Sequence, residues 1–344
     1  MKKNKYFILR KKRKEQNYYE VNKKKQILPY NRIYPNGYFE KEGIYSAMIE
    51  LRLVETKEET MIRELRNSEF DFRIFNRNEK RYLIIYEKCN DYKSFEDTMQ
   101  TVVERLKTAG ETYGILTANE RIRFLHEGYL LFQTKKSLNI SDYLNNMEEC
   151  AADFQNNRKE DMKLQMTEEN GYYVLAGIHS FPDKTEQITK CVTRLVKDPA
   201  TCSSVRIFET VKDEIVRHKI RELYMGFEGE LVKMKRTDRE FYDWYMNQEE
   251  ESARYTFSGC LVCVYGTEEE ELQRTIEKMQ KDVKENDGRI VIYAAGKKKV
   301  LEQILGVGTE EGFTRMLLTE KIGGMVAGTM ERTNTVPVLA KNII

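Results

Sequence analysis

Nucleotide chemistry would leave the plainest mark on a sequence. A loop that cradles phosphates uses glycines for close backbone approach and a lysine for the β- and γ-phosphates, spaced Gly-x4-Gly-Lys-Ser/Thr. The chain has one Gly-Lys pair, Gly296-Lys297; Lys298 stands in the Ser/Thr place and Val291 in the place of the first glycine. Gly306-Val307-Gly308 has no lysine directly after it. Hydrolysis by a P-loop mechanism is therefore not expected. Metal chemistry is no better marked. His126, His179 and His218 lie far apart without ligand-like neighbours. Their spacing leaves a three-histidine site open, but ordinary core or surface histidines account for them. Cys260 and Cys263 form a Cys-x-x-Cys within a run that reads as a strand. An odd separation in a strand puts the two side chains on opposite faces, so two buried thiols are expected rather than a chelate or a redox pair. The run Glu268 to Glu271 follows Thr267 in what reads as the first turn of a helix, where carboxylates offset the helix dipole and Glu270 would complete a capping box. Glu249 to Glu251 reads as a solvated face. No Ser/His/Asp or Cys/His grouping stands out, although triads are spatial. No catalytic, cofactor-binding or metal-ligating residue is assigned, and the chain is not expected to be an enzyme.

Charge is the stronger signal. The chain is nearly balanced at +2, but residues 1–26 hold eleven Lys/Arg against two acids, so this segment carries +9 and the rest of the chain −7. Lys11, Lys12, Arg13, Lys14, Lys23, Lys24 and Lys25 are its candidate contacts with a partner or an anion, either nucleic acid or an anionic lipid surface. The alternative is a solvated, disordered tail. Tyr18, Tyr19, Tyr30, Tyr34 and Tyr38 interleave with basic residues, the mixture that base stacking with phosphate neutralisation would use. No apolar run approaches the ~20 residues of a membrane span, and the basic start is not followed by the apolar stretch of a signal peptide. Six cysteines without framework spacing suit reduced thiols in a cytoplasm.

These residues are carried by a pattern that occurs twice. Residues 27–134 read as β-α-β-β-α-β: a strand Ile44 to Val54, a helix Lys57 to Arg66, a strand about Phe70 to Ile74, a strand Arg81 to Glu87, a helix from Ser94 to Ala109 and a strand Thr112 to Leu116. Phe95, Met99, Val102, Val103 and Leu106 make one stripe of that second helix, with Ser94 as its cap. Residues 135–161 are polar and connect. Residues 162–305 repeat the order, with strands Tyr172 to Ile178, Ser203 to Phe208, Tyr255 to Tyr265 and Arg289 to Ala294. Helices Thr185 to Lys197 and one after Thr267 alternate with them, and a helical insert falls at 211–254. The fold class expected is α+β, two ferredoxin-like units in tandem, each burying one sheet face beneath two helices. One larger sheet shared by both halves is the alternative. Residues 306–344 are Gly-rich and read as a linker, a docking tail or the truncated start of a missing domain.

Three stretches carry a resemblance. They are Leu28-Pro29-Tyr30-Asn31-Arg32-Ile33-Tyr34-Pro35-Asn36-Gly37-Tyr38-Phe39-Glu40, then Thr117-Ala118-Asn119-Glu120-Arg121-Ile122-Arg123-Phe124-Leu125-His126, and Gly306 to Thr319 with its Arg315-Met316-Leu317-Leu318-Thr319 run. Together they resemble the front half of the large cytoplasmic ATPase of conjugative and type IV secretion systems. The second stretch looks like the family's "ERLRxLH" helix start with Ile122 as the departure. The turn Ile304 to Gly308 lacks the family's proline, and only Val336-Pro337 remains of an apolar Pro-Phe segment before Ile344. The resemblance implies a docking and assembly module at the cytoplasmic face of the inner membrane, peripheral to it. It would meet inner-membrane components of the apparatus and self-associate, with the ATPase residues beyond this chain. Arg121, Arg123 and His126 match the family helix, placed by the pattern on the rim beside inward-facing Ile122 and Leu125, for packing or for partner contact. Two other classes stay open. One is a nucleic-acid-binding protein using the basic tail, although the RNP aromatic motifs are missing from the central strands. The other is an enzyme with a dispersed site.

Overall fold

The computed structural model describes residues 18–20, 29–52, 71–77, 80–108, 112–129, 172–197, 201–211, 255–266, 268–293, 297–307, 315–318 and 321–330. Twelve strands are described: β1 Tyr19–Glu20, β2 Arg32–Ile33, β3 Phe39–Lys41, β4 Ile44–Arg52, β5 Asp71–Arg77, β6 Lys80–Lys88, β7 Thr112–Ile115, β8 Tyr172–Ser180, β9 Thr201–Val211, β10 Tyr255–Gly266, β11 Arg289–Ile292 and β12 Arg315–Leu318. Six helices accompany them: α1 Tyr92–Thr108, α2 Ala118–Tyr129, α3 Thr185–Val196, α4 Glu269–Glu285, α5 Lys297–Ile304 and α6 Ile322–Met330. The class is mixed α+β. The predicted helix at 57–66, the connecting segment 135–161, most of the 211–254 insert and the seven candidate cations of the tail lie outside the described residues.

All described strands belong to one antiparallel sheet in the order β1-β2-β3-β4-β6-β5-β9-β10-β8-β11, with β7 on β4 and β12 on β10. Each half contributes the same local order, β5-β6-β4-β7 in the first and β9-β10-β8-β11 in the second. The halves meet where β5 pairs β9, from Phe72 opposite Ile207 to Arg77 opposite Cys202. The shared-sheet alternative is thus the one observed.

Alternation along the strands divides the apolar residues between two cores. On the first face, Ile49, Leu51, Ile74, Leu83, Ile85, Val262 and Val264 meet Phe95, Met99, Val102 and Leu106 of α1. The same core takes Ile188, Cys191, Val192 and Leu195 of α3 and Leu272, Ile276, Met279 and Val283 of α4. On the second face, Met48, Phe75, Ile84, Leu175, Leu261 and Cys263 meet Ile122, Leu125 and Tyr129 of α2 and Val300, Leu301 and Ile304 of α5. Both faces are therefore covered, where the sequence had each unit burying one. Cys260 and Cys263 fall in opposite cores, as their odd spacing in β10 requires. Burying each large aliphatic side chain stabilises by ~1.5–3 kcal/mol. Exposed helix pairs such as Lys190–Glu186 and Arg274–Glu270 contribute about 0.3–0.5 kcal/mol each. Packing, not surface charge, holds the layers together.

Four expectations are corrected. Asp91 rather than Ser94 caps α1, its Oδ1 accepting from the Ser94 backbone N–H and hydroxyl, both at 2.9 Å. The cap residue of α4 is Glu268, without a side-chain cap bond, and Glu270 accepts instead from Arg274 at 3.1 Å. Tyr19–Glu20, inside the segment read as a tail, pairs with β2. The Gly-rich end holds a strand and a helix. β12 pairs Tyr255–Ser258 of β10, and Gly328 of α6 lies so close to α3 that an added Cβ would stand 2.6 Å from Val192 Cβ. Three of the nine residues of α6 are glycine, each costing ~1 kcal/mol of helix propensity, so close packing is what forms it.

Candidate functional site

The turn Tyr34-Pro35-Asn36-Gly37 starts the local geometry. Pro35 presets the second turn position, the Gly37 N–H donates to Tyr34 O at 2.9 Å, and the Tyr34 N–H donates to Tyr38 O at 2.8 Å. Gly37 has φ +89°, and a Cβ there would stand 1.7 Å from Leu116 O. Only glycine lets this turn lie against the passage from β7 to α2. The Ala118 N–H then donates to Pro35 O at 3.2 Å.

That passage carries a capping box. The Thr117 N–H and hydroxyl donate to Glu120 Oε2 at 2.7 and 2.8 Å, and the Glu120 N–H reaches back to Thr117 Oγ1 at 3.4 Å. These two donors hold the Glu120 carboxyl below the usual carboxylate range.

One residue on, Arg121 is 2 % exposed. Its Nη1 donates to Gly37 O at 3.0 Å and Ser46 O at 2.7 Å, and Nη2 donates to Ser46 Oγ at 2.7 Å. The guanidinium lies over Phe39 at 4.2 Å and near Tyr30 at 5.8 Å. Burial depresses its pKa, but an arginine starts so high that it stays charged. Burial also pushes the Tyr30 phenol up to about 12, so the ring beside the cation is neutral. Charge-assisted hydrogen bonds of this kind contribute ~1.5–3 kcal/mol each, which offsets the desolvation of the guanidinium. The expectation of a rim position for Arg121 is corrected: the side chain is inside, bonded to Gly37 and Ser46.

A second buried cation adjoins on the same face. Arg73, 0 % exposed, donates from Nη2 to Gln303 Oε1 at 2.8 Å and lies 5.6 Å from the Tyr86 ring. The Tyr86 hydroxyl donates to Gly306 O at 2.8 Å. Gly306, at φ +74°, ends α5 in a Schellman turn: the Val307 N–H donates to Glu302 O at 2.8 Å and the Gly306 N–H to Gln303 O at 3.3 Å. Tyr129 donates from its hydroxyl to Glu302 Oε1 at 3.1 Å. Residues 29–40, 117–129 and 302–307 are thereby drawn into one network.

Of the other residues singled out from sequence, Arg123 is exposed and paired with Glu127 at 2.8 Å. His126 is fully buried, His179 half-buried in β8, and His218 outside the described residues. Tyr34 and Tyr38 are buried against Tyr92 and Phe95, and Tyr30 against Phe39, so these rings face protein rather than a base. Among the described residues, no group of three or more His, Cys, Asp or Glu is placed to hold a metal ion. No described helix is long and apolar enough to cross a membrane. The network can fix backbone and define a fold; its donors are directed at internal acceptors.

No protein-family model and no curated protein matches this chain. Among solved structures, one similar chain is CrmK, a flavoenzyme involved in the shunt product recycling mechanism in caerulomycin biosynthesis. The identity is 8 %, the match covers 70 % of this chain and 42 % of that one, and the TM-score is 0.30. This chain thus matches less than half the length of that structure, and at that TM-score the likeness carries no argument.

Proposed function

We propose that the chain is a non-catalytic docking and assembly module of a conjugative or type IV secretion ATPase, acting through protein–protein contacts. On this reading the fold is two ferredoxin-like units in tandem, fused edge to edge through β5 and β9. The chain sits peripherally at the cytoplasmic face of the inner membrane. Its partners are inner-membrane components of the apparatus and other copies of itself, with anionic lipid or DNA at the basic N-terminal segment.

The observation that supports the reading is convergence. The three stretches that carry the sequence resemblance come from distant parts of the chain, yet they meet on one sheet face, where Gly37 O accepts from the buried Arg121 and Gly306 O from the buried Tyr86. Glu120 and Arg121, which match the family's helix start, are the residues that close the capping box and hold the turn at Gly37. The repeated strand order supports the tandem fold.

The test is pelleting with inner-membrane vesicles from cells that carry or lack the transfer genes neighbouring this one. Retention that requires those genes is expected. Equal pelleting with both vesicle types, or the absence of any such genes, overturns the reading. Salt-sensitive binding of single-stranded DNA without gene-dependent retention would also overturn it, in favour of a nucleic-acid role. The reading further expects a Gly-x4-Gly-Lys-Ser/Thr loop encoded in frame beyond Ile344 or in an adjacent gene.

A further inference from the structure

We infer that α6 is a conditional helix: it forms only when docked across the joint between the halves of the sheet, and it can leave as a unit while both halves stay folded. The inference is independent of the docking function proposed above.

Three observations carry it. First, α6 is poor at forming by itself. Gly323, Gly324 and Gly328 fall within nine residues, and each lowers helix formation about fivefold relative to alanine. Second, it is packed by close approach. A Cβ at Gly324 would stand 2.5 Å from Thr185 O, and one at Gly328 would stand 2.8 Å from Thr189 O. Met325 and Val326 are its described core residues, in the core that also takes Ile188, Val192 and Leu195 of α3, the helix it packs on. Third, its polar attachments come from both halves. Arg81 of β6 donates from Nε to Thr329 O at 2.9 Å, while Thr193 of α3 donates to Gly328 O at 3.4 Å. Lys321 approaches Asp183 at 3.6 Å at the solvent edge. The tether before it, β12, is four residues long.

A helix with low intrinsic stability, attached on one side to each half, is stable only while the halves are in register. Docking of α6 therefore depends on the β5–β9 joint.

Hydrogen exchange of the whole chain in low urea, read by mass spectrometry, tests this. Peptides covering 315–330 should exchange at least about tenfold faster than those of α3 and α4, through an opening that leaves β6 and β10 protected. Exchange of α6 only together with β6 and β10, at the same rate and with the same urea dependence, overturns the inference. Gly328→Ala separates docking from propensity, since alanine favours helix but its methyl collides with Val192. A conditional helix exchanges about tenfold faster in this variant with β6 and β10 unchanged. Slower exchange at 322–330, or faster exchange throughout the chain, overturns it. The wild-type measurement decides the matter alone if the variant does not fold.

Discussion

On the second face of the sheet, the first half buries two guanidinium groups, Arg73 and Arg121, among aromatic rings and backbone carbonyls. The second half covers the same face with Leu175, Leu261 and Cys263 against Val300, Leu301 and Ile304. One strand order is thus stabilised in two ways. Apolar packing tolerates neighbours of similar volume. A buried arginine tolerates only partners at its donor positions, because a stranded carbonyl or hydroxyl costs the full desolvation of that group. The first half should therefore be specified by a few irreplaceable residues, and the second by summed volume.

The largest effects should fall on the first half. Gly37→Ala puts a methyl where Leu116 O lies and holds alanine at a positive φ; a loss on the order of 4 kcal/mol is expected in urea unfolding. Arg121→Ala strands the Gly37 carbonyl and both Ser46 acceptors, and should cost ~3–5 kcal/mol. The two changes combined should cost less than their sum, since they break one network; full additivity would mean that the network is not a unit. In the second half, Ile188→Ala opens a void at a side chain that is 0 % exposed and should cost ~2–4 kcal/mol. Conservative changes separate the halves more sharply. Arg121→Lys loses the planar fork and should still cost ~2 kcal/mol, whereas Ile188→Val should cost about 1 kcal/mol. Equal costs would remove the distinction.

Smaller effects follow at two polar sites. Thr117→Ala removes half of the capping box and should cost ~1 kcal/mol at neutral pH. Because the Glu120 carboxyl is held below its unfolded value, its contribution is present above the ordinary carboxylate pKa of about 4.3 and is lost as pH falls through the folded value. The cost of Thr117→Ala should therefore shrink between neutral pH and about pH 3.5; an undiminished cost would exclude the carboxylate. Asn76 is 5 % exposed, and neither side-chain polar atom has a hydrogen-bond partner in the described structure. Asn76→Leu should be neutral or stabilising by ~1 kcal/mol, and a clear loss would mean that a water satisfies the amide in solution.

Periodicity made much of this legible. The α4 residues Leu272, Ile276, Met279 and Val283 and the α1 residues Phe95, Met99, Val102 and Leu106 are buried as their spacing predicts, because an amphipathic stripe fixes a helix face without knowledge of the rest. The buried Arg121 was missed because a charged residue beside an apolar one reads as rim. The stripe itself held the signal: 118, 121, 122, 125 and 129 follow one helical face, and Arg121 occupies one of its positions. The joint of β5 and β9 depends on pairing between distant strands, which alternation within either strand does not encode. Its trace is the pattern of β5, where residues on both faces are buried. Compositional reasoning failed at α6, since glycines that suit a linker also suit two helices in near contact.

The β5–β9 joint also bears on solubility. Each strand covers the other's open hydrogen-bonding edge. A first half produced without the second would present β5, seven residues long and carrying Phe72, Ile74 and Phe75, as a bare template for any other strand. Such a fragment should dimerise or aggregate even where its own core is complete. The second half would do the same along β9, so the pairing that makes one sheet of two halves also protects each from self-association.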